Sequence, residues 1–236
     1  MKKWPIARLL TSSLVTFVAV LTGIAWVLVA VLVFVVSITR DIQISGWNVA
    51  AAQLARWLMI ALGFHLIRHH LALSVSHGRT RREFMGQASV FTLVLAGASA
   101  VFITIGFWLE SLVYGAMDWP QKVDQPYFTS GTELPSIFVA YWAMFAVWTV
   151  IGMLVTSGFD RSHGTGLLTL VLAFGLAVPA VMTVGGAGSL PLLSDLPGLA
   201  GTSLVTPVAL CVASWAVGLG VTWGLVRDMP LRTRTA

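Results

Sequence analysis

The sequence predicts an all-α, polytopic membrane protein with six transmembrane helices and cytoplasmic amino and carboxyl termini. Only 10% of the 236 residues are charged, and the mean hydropathy of +0.88 leaves too little polar surface for an ordinary globular domain. The run from Leu14 to Ile38 contains 25 residues without a charge. At ~1.5 Å per residue, a helix of this length crosses the ~30 Å hydrocarbon core of a bilayer. The run exceeds a typical signal-peptide core and precedes no small-x-small cleavage site, so we expect a retained anchor.

Clusters of glycine, proline and charged residues divide the chain into six predicted spans within a single membrane domain, residues 1–236. The spans are residues 13–39, 48–75, 85–114, 135–157, 165–184 and 203–226. Basic residues flank both termini and the loops after the second and fourth spans, whereas the opposite side holds only Arg40 and Lys122. The positive-inside rule therefore predicts cytoplasmic termini in a cell inner or plasma membrane. The net charge of +5 follows this topology, so we expect no nucleic-acid partner.

The predicted second span contains basic residues that are unusual in an apolar helix. His65, Arg68 and His69 have the i, i+3, i+4 spacing of a shared helical face, which could line a pathway or relay protons. Alternatively, the helix projects beyond the bilayer here, or its basic side chains reach the lipid headgroups. No acidic residue or cysteine nearby completes a metal site, so we predict none.

The segment 76–84, between the second and third spans, is typical of a helix stop, a turn and a helix start. Gly78 can adopt the left-handed conformation that ends a helix, while Thr80 and Glu83 have the spacing of a capping box. This elbow would display Arg79, Arg81 and Arg82 on the cytoplasmic side. The arginines could dock a partner, or they could simply fix topology and bind anionic lipid.

Glu110 lies near the outer end of the predicted third span. A carboxylate in apolar surroundings is costly unless it is paired, hydrated or functional. Three interpretations remain open: contact with a polar or cationic cargo, an interfacial cap at the end of the third span itself, or an ion pair with Arg56 of the second span.

The last three predicted spans carry fewer polar residues than the second and third. His163, with Asp160 and Arg161, lies in the predicted loop after the fourth span, which is either a small partner contact or a solvated turn. Residues 184–202 are apolar but interrupted by glycines and prolines. Irregular backbone is too costly to expose to lipid, so this segment should lie at the outer interface or re-enter against protein. The single cysteine, Cys211, excludes an intrachain disulfide.

Six spans, cytoplasmic termini and a Gly-x-Thr-Arg-Arg-x-Phe elbow together resemble the small permease subunits of the type-2 ATP-binding-cassette (ABC) exporter family. The matching residues are Gly78, Thr80, Arg81, Arg82 and Phe84; Glu110 and the segment before the sixth span also fit the family pattern. The resemblance implies a pathway formed with a second permease copy or a homologous permease, and an outer gate at residues 184–202, for which a plain connecting loop is the alternative. It also implies that a separate ATPase subunit docks on the elbow, through Gly78, Arg79, Thr80, Arg81, Arg82, Glu83 and Phe84.

The same resemblance assigns ATP and Mg²⁺ to the partner ATPase, with no cofactor bound by this chain. The sequence contains no Gly-x-x-x-x-Gly-Lys-Ser/Thr phosphate loop, and it contains neither a serine-centred glycine elbow nor a His-Glu-x-x-His motif. A transporter subunit is therefore expected rather than an enzyme. The alternative is a non-transporting membrane immunity or scaffold protein, which should tolerate charge reversal in the elbow. Membrane lipids are expected partners in either case, and the residues do not indicate a substrate.

Overall fold

The computed structural model describes residues 20, 24, 27, 28, 31, 45–119, 123, 125, 127–185 and 203–229, with the backbone alone at 49–54 and 185. The predicted first span therefore lies largely outside the described residues, although positions 20, 24, 27, 28 and 31 are helical. Residues 186–202 of the predicted outer segment also lie outside them. The described ranges contain helices and connecting loops and no β-strand.

Five long helical stretches coincide with the second to sixth predicted spans. They are α1 (Gly46–His65), continued by a π-helix (Leu66–Leu71) and α2 (Ala72–Ser76), then α3 (Arg81–Ala116), α4 (Leu134–Arg161), α5 (His163–Gly185) and α6 (Val205–Arg227). All five are long and apolar enough to cross a membrane. The all-helical fold is thereby confirmed, and the described part of the chain has the character of a multi-pass membrane protein.

Helix α4 lies at the centre of the bundle and packs against α1, α3, α5 and α6. Most of its apolar residues are buried, including Tyr141, Phe145 and Leu154, which have no exposed surface, although Trp142 and Phe159 are exposed. A helix that is hydrophobic all round is expected in such a position. The other four stretches each bury one face against α4 and leave the other face exposed.

Two glycines allow the backbones of α1 and α4 to touch. A Cβ atom added to Gly63 would lie 2.0 Å from the carbonyl oxygen of Thr149, and one added to Gly152 would lie 2.1 Å from that of Ile60. Real side chains do not approach backbone atoms this closely. The pair of glycines therefore fixes the crossing point of α1 on the central helix.

The loop before α4 is ordered by one carboxylate. Oε1 of Glu133 accepts hydrogen bonds from the backbone N–H groups of Thr129 (2.9 Å) and Ser130 (3.2 Å) and from the Thr129 hydroxyl (3.2 Å). The backbone hydrogen bond from Thr129 is the main reason why the pKa of Glu133 is lowered from its ordinary value.

At the other end of α4, only Ser162 separates this helix from α5, so His163 begins α5 rather than lying in a loop.

Candidate functional site

The elbow, residues 76–84, joins two membrane-length helical stretches through a tight turn. Gly78 has a φ of +75°, which confirms the left-handed helix stop expected from the sequence. The N–H of Arg79 donates to the carbonyl of Ser74 (3.1 Å), and the N–H of Gly78 donates to that of Val75 (3.0 Å). The end of α2 is therefore closed by backbone hydrogen bonds in place of a helical continuation.

The start of α3 is closed by the predicted capping box. The hydroxyl of Thr80 accepts a hydrogen bond from the N–H of Glu83 (3.2 Å), and the Glu83 carboxylate accepts one from the N–H of Thr80 (3.1 Å). Phe84 is buried, at 3% exposure, so its ring anchors the elbow to the bundle and is not available to a docking partner. The elbow is thus ordered on both sides of the turn.

Arg81 has a role that the sequence did not indicate. Its Nη1 atom donates to the carbonyl oxygens of Val226 (2.9 Å) and Arg227 (2.7 Å), in the last turn of α6. A guanidinium at this position supplies further donors to the carbonyls of the last turn and complements the negative end of the helix dipole. Arg81 therefore fastens the elbow to α6, and we call this contact the latch.

The other two arginines of the elbow form no contact of this kind with the described residues. Arg82 and Glu83 are exposed and Arg79 is half-buried. Within the described part of the chain, the side chains of Arg79 and Arg82 form neither a hydrogen bond nor an ion pair. The elbow accordingly divides its three arginines into one structural residue and two that face outward.

A second group of basic residues lies on the π-helix that follows α1. The rings of His65 and His69 are 4.5 Å apart, and those of His65 and His70 are 5.2 Å apart, both measured between ring centroids. The guanidinium carbon of Arg68 lies 5.2 Å from the centre of the Phe64 ring. His65, Arg68, His69 and His70 are called the basic cluster below.

The π-helix explains why His70 joins the basic cluster. The sequence predicted a shared face for His65, Arg68 and His69 only, because positions i and i+5 lie about 140° apart on an α-helix of 3.6 residues per turn. A π-helical turn pairs residue i with i+5, so it brings His70 beneath His65. The hydroxyl of Ser74 donates to the carbonyl of His70 (2.7 Å), which helps to satisfy the backbone at the altered turn.

At the opposite end of the bundle from the elbow, Glu110 closes the start of α1. Its Oε1 atom accepts a hydrogen bond from the N–H of Trp47 (2.8 Å), and its Oε2 atom accepts one from the hydroxyl of Ser45. Tyr114 supplies a further side-chain hydrogen bond to this carboxylate. Glu110 is only 6% exposed and interacts with the positive end of the α1 dipole. Glu110 therefore caps the start of α1, a neighbouring helix, and not the end of its own helix, which is the cap that the sequence suggested.

Trp47 completes this group, which we call the carboxylate network. Its indole N–H donates to the carbonyl of Ile103 (3.0 Å), and its ring lies over Gly106, where a Cβ would come within 2.2 Å of the ring. The network fixes α1 to α3 by side-chain contacts to backbone atoms. Such contacts cannot be recognised in a sequence without knowing which helices are neighbours.

The proposed ion pair between Arg56 and Glu110 is not formed. Among the described residues the only ion pair joins Arg227 to Asp228, at the end of α6. The Nε atom of Arg56 is buried without a hydrogen-bond partner. The carboxylate is instead engaged by the start of α1, about ten residues before Arg56, or ~15 Å along the helix at ~1.5 Å per residue.

Among the described residues, no three His, Cys, Asp or Glu side chains are grouped so as to hold a metal ion. Comparisons of the chain with protein-family models, with curated proteins and with solved structures give no match.

Proposed function

We propose that this chain is a membrane-spanning permease subunit of a type-2 ABC exporter, which forms the translocation pathway with a second copy or a homologous permease. A separate ATPase subunit, which binds ATP and Mg²⁺, docks on the elbow at residues 76–84. The chain lies in a cell inner or plasma membrane with both termini in the cytoplasm. The observation that carries the proposal is the elbow itself, an ordered corner between two membrane-length helical stretches, at which Arg79 and Arg82 make no hydrogen bond or ion pair with the described residues.

The elbow is built to pass on a displacement. The turn at Gly78 and the capping box at Thr80 form a short, hydrogen-bonded connection between α2 and α3. The latch from Arg81 adds the end of α6 to the same corner. A subunit that pushes on the elbow would therefore move three helical stretches together, which is what coupling of ATP hydrolysis to a change of access requires.

The charges of the elbow favour a protein partner with an acidic groove. Arg79 and Arg82 have no acidic partner within the described chain, and Arg82 and Glu83 are exposed. Guanidinium groups held on a rigid corner lose little conformational entropy when they bind carboxylates. We assign partner contact to Arg79 and Arg82, and we assign positioning to Gly78, Thr80, Arg81, Glu83 and Phe84.

Co-purification from native membranes tests this assignment. Tagged wild-type protein in mild detergent should retain a stoichiometric ATPase subunit, and the variant R79E/R82E should lose it. The control R161E reverses an exposed charge at the end of α4 and should retain the ATPase. Arg81 is left unchanged because its loss would break the latch, and a lost ATPase could then reflect altered folding and not altered docking.

Two results would count against the proposal. One is a folded wild-type protein that carries no ATPase. The other is a variant R79E/R82E that keeps the full amount. Either result would favour a non-transporting immunity or scaffold protein, for which the elbow is only a connection.

A further inference from the structure

The helical stretch from α1 through α2 carries a continuous exposed stripe with the basic cluster near one end. Trp57, Phe64 and Leu73 are 64%, 40% and 53% exposed, and His65, Arg68 and His69 are exposed on the same face. The opposite face, which includes Met59, Leu66 and Leu71, is buried in the bundle. The stripe is therefore apolar towards the middle of the helix and basic towards the elbow.

The dimensions of the stripe match one leaflet of a bilayer. At ~1.5 Å per residue, His69 lies ~10 Å before the end of α2 at Ser76, and Trp57 lies ~18 Å further from the elbow. Half of the ~30 Å hydrocarbon core is ~15 Å. The basic cluster is thus placed near the depth of the headgroups when Trp57 lies near the middle of the membrane.

The basic cluster lacks an anion within the described chain. Arg68 has no acidic side chain within 4 Å among the described residues, and its guanidinium is held over the Phe64 ring. A charged group at the edge of a hydrocarbon layer is costly unless it is paired. Each imidazole also offers one N–H donor even when it is neutral. The cluster therefore presents one fixed positive charge and up to three further donors.

Neither the first predicted span nor a second copy of the chain supplies a negative charge to pair with Arg68. The run from Leu14 to Ile38 contains no charged residue, so the first predicted span cannot neutralise Arg68. A second copy that packed the same stripe about a two-fold axis would bring two Arg68 side chains towards each other. Like charges at close range in a low-dielectric setting repel strongly.

We propose that the stripe is a binding site for one anionic phospholipid of the leaflet on the elbow side. The phosphate accepts hydrogen bonds from Arg68 and the imidazoles of the basic cluster, and an acyl chain lies along Phe64, Ala61 and Trp57. The π-helix has a direct role in this site, because it adds His70 to the donors. The site does not depend on the proposed transport function.

Native mass spectrometry of the intact protein in mild detergent tests the site. The probes are dioleoylphosphatidylglycerol and dioleoylphosphatidylcholine, added in equal amounts, and the readout is the ratio of the two bound lipids. The variant H65Q/R68Q/H69Q should lower the preference for phosphatidylglycerol by at least about fivefold, the effect of roughly one lost interfacial cation. The single variant R68Q, a milder change, should lower it in the same direction.

Two controls separate the site from general effects. R161Q removes one exposed charge elsewhere and should keep the wild-type preference. W57A shortens the apolar track and should weaken both lipids without changing their ratio. Glycerol phosphate at millimolar concentration should not displace phosphatidylglycerol, because it lacks the acyl chains.

Three results would overturn the proposal. One is an unchanged lipid ratio in both R68Q and H65Q/R68Q/H69Q. Another is an equal loss of preference in R161Q, which would indicate a diffuse charge effect. The third is displacement by glycerol phosphate, which would identify an anion site that does not select lipid.

Discussion

Replacing Glu110 should destabilise the protein more than replacing any other charged residue in the membrane-length helices. The change removes the acceptor for the N–H of Trp47 and for the hydroxyl of Ser45 at the start of α1. A hydrogen bond to a charged group contributes about 1.5–3 kcal/mol, so E110A should lower the free energy of unfolding by about 3–6 kcal/mol. E110Q keeps one acceptor oxygen and should cost about half as much.

Reversible unfolding in mixed micelles of a mild detergent and dodecyl sulfate, followed by tryptophan fluorescence, measures these differences. The double variant S45A/E110A should cost less than the sum of the two single changes, because both remove the same hydrogen bond. R56Q should leave the network intact and should not reproduce the loss seen in E110A. An E110A protein as stable as wild type would refute the reasoning, and equal losses in R56Q and E110Q would restore the ion-pair interpretation.

Three further changes test other contacts. G63A should destabilise the protein by at least about 1–3 kcal/mol, since its Cβ meets a backbone carbonyl, whereas the control G86A has open space and should be neutral or slightly stabilising; micelle unfolding compares the two. R81Q should lower stability by about 1–2 kcal/mol and speed hydrogen exchange in the last turn of α6, because the latch is lost; unchanged exchange there would argue against it. Glu133 has a pKa that the backbone hydrogen bond from Thr129 lowers, so its carboxylate contributes stability above its unfolded-state pKa, and this contribution is lost as the pH falls through the lower folded-state value. E133Q should therefore show a smaller loss of stability on acidification than wild type, and parallel pH profiles would contradict this assignment.

The parts of the fold that could be predicted depend on neighbours in sequence. Apolar runs of membrane length identified five of the described helical stretches, because burial in lipid selects composition over a whole segment. The elbow could also be predicted from the sequence, since the helix stop at Gly78 and the capping box between Thr80 and Glu83 are local hydrogen-bond patterns. Local geometry of this kind depends on residues that are only three or four positions apart in the sequence.

The contacts that were missed depend on neighbours in space. Arg81 was read with Arg79 and Arg82 as a docking residue, yet its guanidinium binds carbonyls of α6, 145 and 146 positions away. An ion pair of Glu110 with Arg56 was considered because opposite charges are visible in a sequence. The hydrogen bond that Glu110 accepts from the backbone N–H of Trp47 is not visible there, because every residue except proline has such a group. His70 was left out of the basic cluster because an α-helical period was assumed where the chain forms a π-helix.

Photo-crosslinking in intact native membranes tests the central claim, that the elbow docks an ATPase, most directly. A photoreactive amino acid is placed at Arg82, on the exposed side of the elbow, and at Trp57, on the exposed stripe of α1, as the control. We expect a crosslink from position 82 to a single ATP-binding subunit, with a yield that changes when ATP is added, and none from position 57 on the exposed stripe. Crosslinks from position 82 to lipid alone, with no ATP-binding protein in repeated preparations, would contradict it.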